Sequence, residues 1–234
     1  MPSSATHRHQ IPLACGKAAC QKKPVSVTPA PAPVLPRAPE DNELLPEDYF
    51  RRLARAGIFP DEAPLEVDLG SGDGSFLLSM AEKHPERRFL GVERLLGRVR
   101  KLCRRSHQRG LSNLKVLRLE SLYTVEWLLP RQSLSRIHLL FPDPWPKAKH
   151  HKRRLVQEPF LRAVQAALLP GGEFLFRTDH AEYFEWAVEQ VEAFEGLNLV
   201  DWLPEEEFYA ETDFQRQWAE VGRSVHSLRA VTAS

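Results

Sequence analysis

A chain of 234 residues, 42% hydrophobic and 27% charged, can bury a sizeable core in one domain with appendages, and none of its apolar runs approaches the roughly 18 residues that span a bilayer. Three cysteines are too few for a disulfide framework, which argues against a small secreted scaffold and makes a reducing cytoplasm the expected setting. The net charge of +1 hides an asymmetry: the first 39 residues hold five cations, no acid and eight of the 19 prolines, leaving 27 basic against 31 acidic residues beyond them.

In chain order, residues 1–43 read as a disordered or polyproline-like basic tail, too poor in apolar surface to offset its ordering entropy and lacking the apolar stretch of a signal peptide. Cys15 and Cys20, with His7 and His9, match no strong ligand spacing, so no metal site is expected. Residues 44–234 read as one domain. Periodicity predicts helices over 46–56, 74–84, 94–109, 154–169 and 181–194. Short apolar runs predict strands near 65–69, 88–92, 115–119, 136–141, 172–178, 197–202 and 224–231. This alternation implies an α/β fold, a doubly wound and mostly parallel seven-stranded sheet whose ligands sit outside the carboxyl ends of the strands.

At the first of those ends, LEVDLGSGDGSF sets Asp68 before Gly70, Gly72 and Gly74. Glycines allow a sharp turn and close backbone approach to a ligand. The spacing is GxGxG, whereas a nicotinamide dinucleotide fingerprint needs its third glycine where Ser75 stands, which weighs against an oxidoreductase. Glu93 ends the next strand, about 20 residues on, where an acid hydrogen-bonds ribose hydroxyls. Asp68 suits a ligand carrying an ammonium group, and Glu120, after the third strand, could accept an adenine amine. Any one of these acids alone is as well explained as a solvated strand end. Together they point to S-adenosylmethionine.

After the fourth strand comes LLFPDPWPKAKHHKRR. Prolines at 142, 144 and 146 remove three backbone donors and bias Phe141, Asp143 and Trp145 toward extended conformations, making a rigid shelf that aims Asp143 at the methyl donor. Behind it, Lys147, Lys149, Lys152, Arg153 and Arg154, with His150 and His151 among them, form a cluster suited to phosphates. Arg94, Arg98, Lys101, Arg105 and Arg109 make a second basic stripe, better read as an ordinary solvated helix face.

FPDPWPKAKHHKRR, with DLGSGDG, GVE, RTD at 177–179 and TDFQ at 212–215, resembles the bacterial tRNA (guanine-N7-)-methyltransferases over roughly residues 60–231. The resemblance implies a Rossmann-like class I methyltransferase fold, S-adenosylmethionine as donor, tRNA as partner, and methylation of the variable-loop guanine at position 46. It makes Asp68, Gly70, Gly72, Gly74, Glu93, Glu120 and Asp143 donor-site residues, Asp143 also catalytic. Lys147, Asp179, Thr212, Asp213, Phe214 and Gln215 become substrate-binding residues. The chain departs from the family pattern where Gln215 replaces a usual Glu, Asp213 fills an often basic position, and Glu120 replaces a commoner Asp. A carboxylate accepts both the N1 and N2 protons of guanine, but an amide has one acceptor oxygen. An amino-group methyltransferase and a noncatalytic RNA-binding homologue are the alternatives. The sequence leaves monomer and homodimer equally open.

Overall fold

The computed structural model describes residues 42–202, 208–212, 215–216 and 222–233. Its elements run β1 (Glu43–Leu44), α1 (Arg55–Ile58), β2 (Leu65–Leu69), α2 (Ser75–Lys83), β3 (Arg88–Val92), α3 (Leu96–Gln108), β4 (Leu114–Leu117) and α4 (Ser121–Tyr123). A π-helical segment (Thr124–Leu128) leads to β5 (Leu134–Leu140), and a 3-10 segment (Ala148–Arg153) to α5 (Glu158–Ala167). Then follow β6 (Leu168–Thr178), α6 (Ala181–Glu192), β7 (Asn198–Val200) and β8 (His226–Val231). Among the described residues these strands form one sheet in the order β1-β4-β3-β2-β5-β6-β8-β7, parallel except for β8, which runs antiparallel to both neighbours. The chain steps outward from β2 through β3 to β4, then returns to place β5 on the other side of β2. That reversal opens a crevice at the carboxyl ends of β2 and β5.

Strands covered on both faces should be continuously apolar, and every residue of β2 is buried. On one face Phe89, Leu114 and Val116 pack with Leu77, Met80, Val99 and Leu102 of α2 and α3. On the other, Val67, Leu90, Ile137 and Phe174 pack with Phe160, Val164, Tyr183 and Ala187 of α5 and α6. The period-2 alternation of strand side chains thus divides each strand between two helical layers.

Four expectations are corrected. The helix over 46–56 is replaced by turns and the four-residue α1, because its polar groups bond elsewhere: the Asp48 carboxylate accepts the Phe50 N–H at 2.8 Å, Leu53 N–H donates to Leu128 O, and Arg52 reaches the Leu129 and Glu126 carbonyls. The sheet gains an eighth strand, β1, paired in register with β4. The Asn42 amide bonds Ser106 Oγ and Leu111 O, so Asn42 and Glu43 belong to the fold and not to the tail. Residues 154–157 stand outside α5, which starts at Glu158 with Pro159 in its first turn. The tail's Cys and His residues lie outside the described residues.

Candidate active site

Of the β2-to-α2 residues expected at the site, Asp68, Gly70 and Gly72 line the crevice. Gly70 (φ 84°) and Gly72 (φ 58°) adopt left-handed conformations that favour glycine, and a Cβ on Gly70 would meet nothing within 4 Å. Gly74 (φ 81°) is left-handed too and carries a further constraint: a Cβ there would lie 2.2 Å from Leu102 Cδ1, so this glycine also lets α2 pack against α3. The turn is tied to β3 through Gly70 and Ser71 N–H groups, both donating to Val92 O.

A cavity of about 420 Å³ is lined by Asp68, Gly70, Ser71, Gly72, Phe76 and Thr212. A neighbouring one of about 520 Å³ is lined by Glu93, Leu119, Glu120, Trp145 and Arg153. They share Gly70, Arg98, Leu140, Phe141 and Asp143, and so form two lobes of one cleft.

The acids in this cleft differ sharply in surroundings. Asp68 is 3% exposed and has no hydrogen-bond partner among the described residues; burial, reinforced by the Glu93 carboxylate, pushes its carboxyl up to about 7. Glu93 accepts the Gly72 N–H at 3.1 Å and the Leu95 N–H at 2.8 Å, bracing the glycine turn. Glu120 caps α4, accepting the Leu122 and Tyr123 N–H groups at 3.0 and 2.8 Å. That local role engages both its oxygens and leaves the second lone pair of each for a ligand. Asp143 is exposed at the junction of the two lobes and pairs with no described residue.

The proline shelf is strained, not simply extended. Phe141 (φ 53°) and Trp145 (φ 45°), each preceding a proline, take left-handed conformations that cost about 1–2 kcal/mol apiece. The Phe141 N–H donates to Arg177 O at 2.8 Å, the last bond of the β5–β6 ladder, and the left-handed turn at Phe141 takes the chain off the sheet toward Asp143 at the cleft.

The cations separate into two groups. Lys147, Lys149, Lys152 and Arg153 are exposed, with the Arg153 guanidinium 4.8 Å from the Trp145 ring centre and the His150 ring edge-on to the same indole. His151 is half-buried, its Nε2 3.2 Å from Glu182 Oε1. Arg154, expected among the RNA contacts, is 2% exposed and faces the protein interior; as placed it cannot reach a phosphate. The second basic stripe is partly compensated within the protein: Arg105 and Lys101 share Asp73, Arg98 meets Glu93 at 3.7 Å, and Arg109 meets Glu82.

Thr212 is buried at the first lobe, its hydroxyl accepting the Gln215 N–H. Gln215 Oε1 accepts from Arg177 at 2.8 Å, and the Arg177 guanidinium lies over the Trp202 and Tyr209 rings. Asp179 pairs with Arg223 at 3.0 Å. Asp213 and Phe214 lie outside the described residues.

Sequence reasoning missed a buried polar chain beneath Thr212. His138 Nε2 lies 2.8 Å from Glu66 Oε2, and His138 Nδ1 lies 3.0 Å from the Tyr209 hydroxyl. Burial opposes ionisation of Glu66, but the His138 hydrogen bond and charge, with Arg136 and Arg87, more than offset it and hold the carboxyl below its usual range. Polar residues inside the otherwise apolar runs LEVDL and IHLL were the available signal.

A protein family described as "Putative methyltransferase" matches residues 62–228. A tRNA (guanine-N(7)-)-methyltransferase of Halorhodospira halophila is 39% identical over 176 residues, 74% of this chain and 76% of that protein. One of Chromohalobacter salexigens is 37% identical over 183 residues, 76% of this chain and 74% of that protein. In fold, the chain is similar to the 16S rRNA methyltransferase KamB, with a TM-score of 0.55 at 22% identity over 73% of this chain and 88% of that one.

Proposed function

The chain belongs to the tRNA (guanine-N(7)-)-methyltransferase family, and from that premise we propose that it transfers the methyl group of S-adenosylmethionine to N7 of a guanine in tRNA, the variable-loop guanine at position 46. The observation that carries this reading is the meeting of Asp68, the glycine turn, Glu93 and Asp143 around one cleft, with the exposed cations directly behind Asp143.

The residues present fit the donor. Gly70 leaves open space where a side chain would stand, Ser71 Oγ is buried without a partner among the described residues, and the buried Asp68 carboxyl suits an ammonium group. Glu93 keeps lone pairs for ribose hydroxyls, and Glu120 for an amine. When bound, the donor supplies an electrophilic methyl carbon on a sulfonium.

Neutral guanine carries a lone pair at N7, so no base has to remove a proton before the new N–C bond forms and the C–S bond breaks. Positive charge moves onto the purine, and in this reading the Asp143 carboxylate, on its strained shelf, stabilises it. Orientation of base and donor by the cleft contributes the rest. Asp143→Ala is expected to lower kcat about a hundredfold while donor and tRNA dissociation constants change little. A wild-type turnover number in that variant would remove Asp143 from the chemistry.

Lys147, Lys149, Lys152 and Arg153 would meet the tRNA backbone, with Thr212 and Gln215 toward the base and Asp179 beside them. Four phosphate contacts predict that log Kd varies with log salt concentration at a slope of ~3–4 in magnitude. Filter binding between low and physiological salt checks this, and a flat dependence would count against an RNA substrate. No described helix is long and apolar enough to cross a membrane, and a tRNA substrate places the work in the cytoplasm.

Incubation with labelled donor and unmodified tRNA, followed by nucleoside analysis, tests the whole reading. Release of 7-methylguanosine is the expected result. A methyl group on an exocyclic amine would establish the amino-group alternative, suggested by the Asp143-Pro144-Trp145 loop. Donor binding without transfer to any tRNA would establish the noncatalytic one.

A further inference from the structure

Arg154 closes a run of cations yet is the largest side chain buried to this degree among the described residues. Its Nε donates to the Pro144 carbonyl at 2.9 Å, one residue past Asp143. An Nη donates to Glu182 Oε1 at 3.1 Å, and the guanidinium lies 5.2 Å from the Tyr183 ring centre and 5.5 Å from that of Trp186. These three partners are on α6, the helix that leaves the end of β6.

The strand of contacts continues past Arg154. The Tyr183 hydroxyl accepts the Leu155 N–H at 3.1 Å, and Trp186 Nε1 donates to Val156 O at 2.9 Å. Residues 154–156 are therefore fastened to α6 by side chains on successive turns. On the other side of the gap, the shelf has lost three backbone donors to proline and holds two left-handed residues. Such a segment keeps its shape only if something outside it determines that shape. The bond from Arg154 Nε ties the basic segment to the shelf backbone.

We infer that Arg154 is a positioning residue: it pins the Pro144 carbonyl to α6 and so sets where the Asp143 carboxylate stands over the cleft. Only a planar guanidinium can donate in two directions while stacking on two rings; a lysine ammonium offers a point charge and no stacking plane. The cation run is thereby divided by function, with Lys147, Lys149, Lys152 and Arg153 facing outward and Arg154 facing inward.

This inference rests on the proposed methyl transfer, and three measurements on Arg154→Lys and Arg154→Met separate the two. First, kcat at saturating tRNA should fall about ten- to a hundredfold, as for a displaced reacting group, with the donor dissociation constant unchanged. Second, the salt slope of tRNA binding should stay at the wild-type value, whereas Lys152→Ala should flatten it by ~0.7–0.9. Third, hydrogen exchange in a peptide covering 141–156 of the free protein should accelerate, a readout that needs no catalysis. Wild-type protein that fails to methylate tRNA overturns the function and leaves the exchange result to decide the tether. Arg154→Lys with normal kcat and a flattened salt slope would show that Arg154 holds a phosphate, and normal kcat with unchanged exchange would show that it pins nothing. Should Arg154→Met not fold, Glu182→Gln removes the charge on one arm of the clamp and is expected to give the same kcat loss in milder form with the same unchanged slope.

Discussion

Asp68→Asn is expected to make the donor-free protein more stable at pH 8 while abolishing donor binding. Asp68 is 3% exposed, and burial with the Glu93 charge lifts its carboxyl from 3.8 to about 7. Its folded pKa thus lies above its unfolded one, so folding takes up a proton. The stability it allows is fully present below about pH 4 and is lost as pH rises through 7. A shift of this size corresponds to about 4 kcal/mol at most, since each unit is worth about 1.4 kcal/mol and local relaxation reduces the total. The Asn side chain carries no charge and escapes that penalty. Its melting temperature should exceed the wild type's by several degrees at pH 8, with the gap shrinking steadily toward pH 5. Donor affinity should run the opposite way. Ionised Asp68 is the form that meets an ammonium, so wild-type affinity should weaken about tenfold per pH unit below 7, with proton release on binding, and be level above it. Thermal melts and calorimetric titration at pH 5 to 8.5 read both trends. Equal melting temperatures at pH 8, or tight donor binding by the Asn variant, would end the assignment of Asp68 as the ammonium site.

Much of this site is visible in the sequence because it is built from short-range features at strand ends. Glycines after an apolar run mark where β2 stops, and β2 and β3 fall on the residues the runs predict. An acid closing a strand needs no distant partner to be noticed. The features that escaped are those set by remote contacts. Arg154 reads as one more phosphate-binding cation until Glu182, Tyr183 and Trp186, 28 to 32 residues later, are folded against it. Glu120 reads as a ligand acid alone until the backbone of α4 is seen wound onto its carboxylate, a capping role held alongside any ligand contact. The helix over 46–56 has a helical pattern, but Asp48, Leu53 and Arg52 form turn and long-range bonds that compete with it. Gly74 shows the same limit in reverse: three glycines in one motif look equivalent, yet only the packing of Leu102 distinguishes the third.

His138→Leu should destabilise the protein by about 3–5 kcal/mol, far more than the loss of an apolar contact there would predict. Glu66 is 1% exposed, and its carboxylate is kept ionised by His138 with Arg87 and Arg136. Arg87 donates to Oε1 at 3.0 Å and Arg136 stands 3.9 Å away, so removal of His138 leaves Oε2 as a buried acceptor facing hydrocarbon. The Glu66→Leu/His138→Leu pair should recover part of the loss, because it removes the stranded carboxylate, while the Tyr209 hydroxyl and Arg87 each still lose a partner. Function should not recover with stability. The Tyr209 hydroxyl bonds His138 Nδ1, its ring packs on Phe76 of the first lobe, and Thr212 lies three residues farther on. Without that anchor the segment bearing Thr212 and Gln215 loses its seat over the cleft, so KM for tRNA should rise in the double variant while the donor dissociation constant stays near wild type. Denaturant titration and steady-state kinetics on the two single variants and the pair close the cycle. Additive losses of stability would show that Glu66 and His138 are not coupled, and a normal KM for tRNA in the stable double variant would show that the chain beneath Tyr209 serves the fold alone.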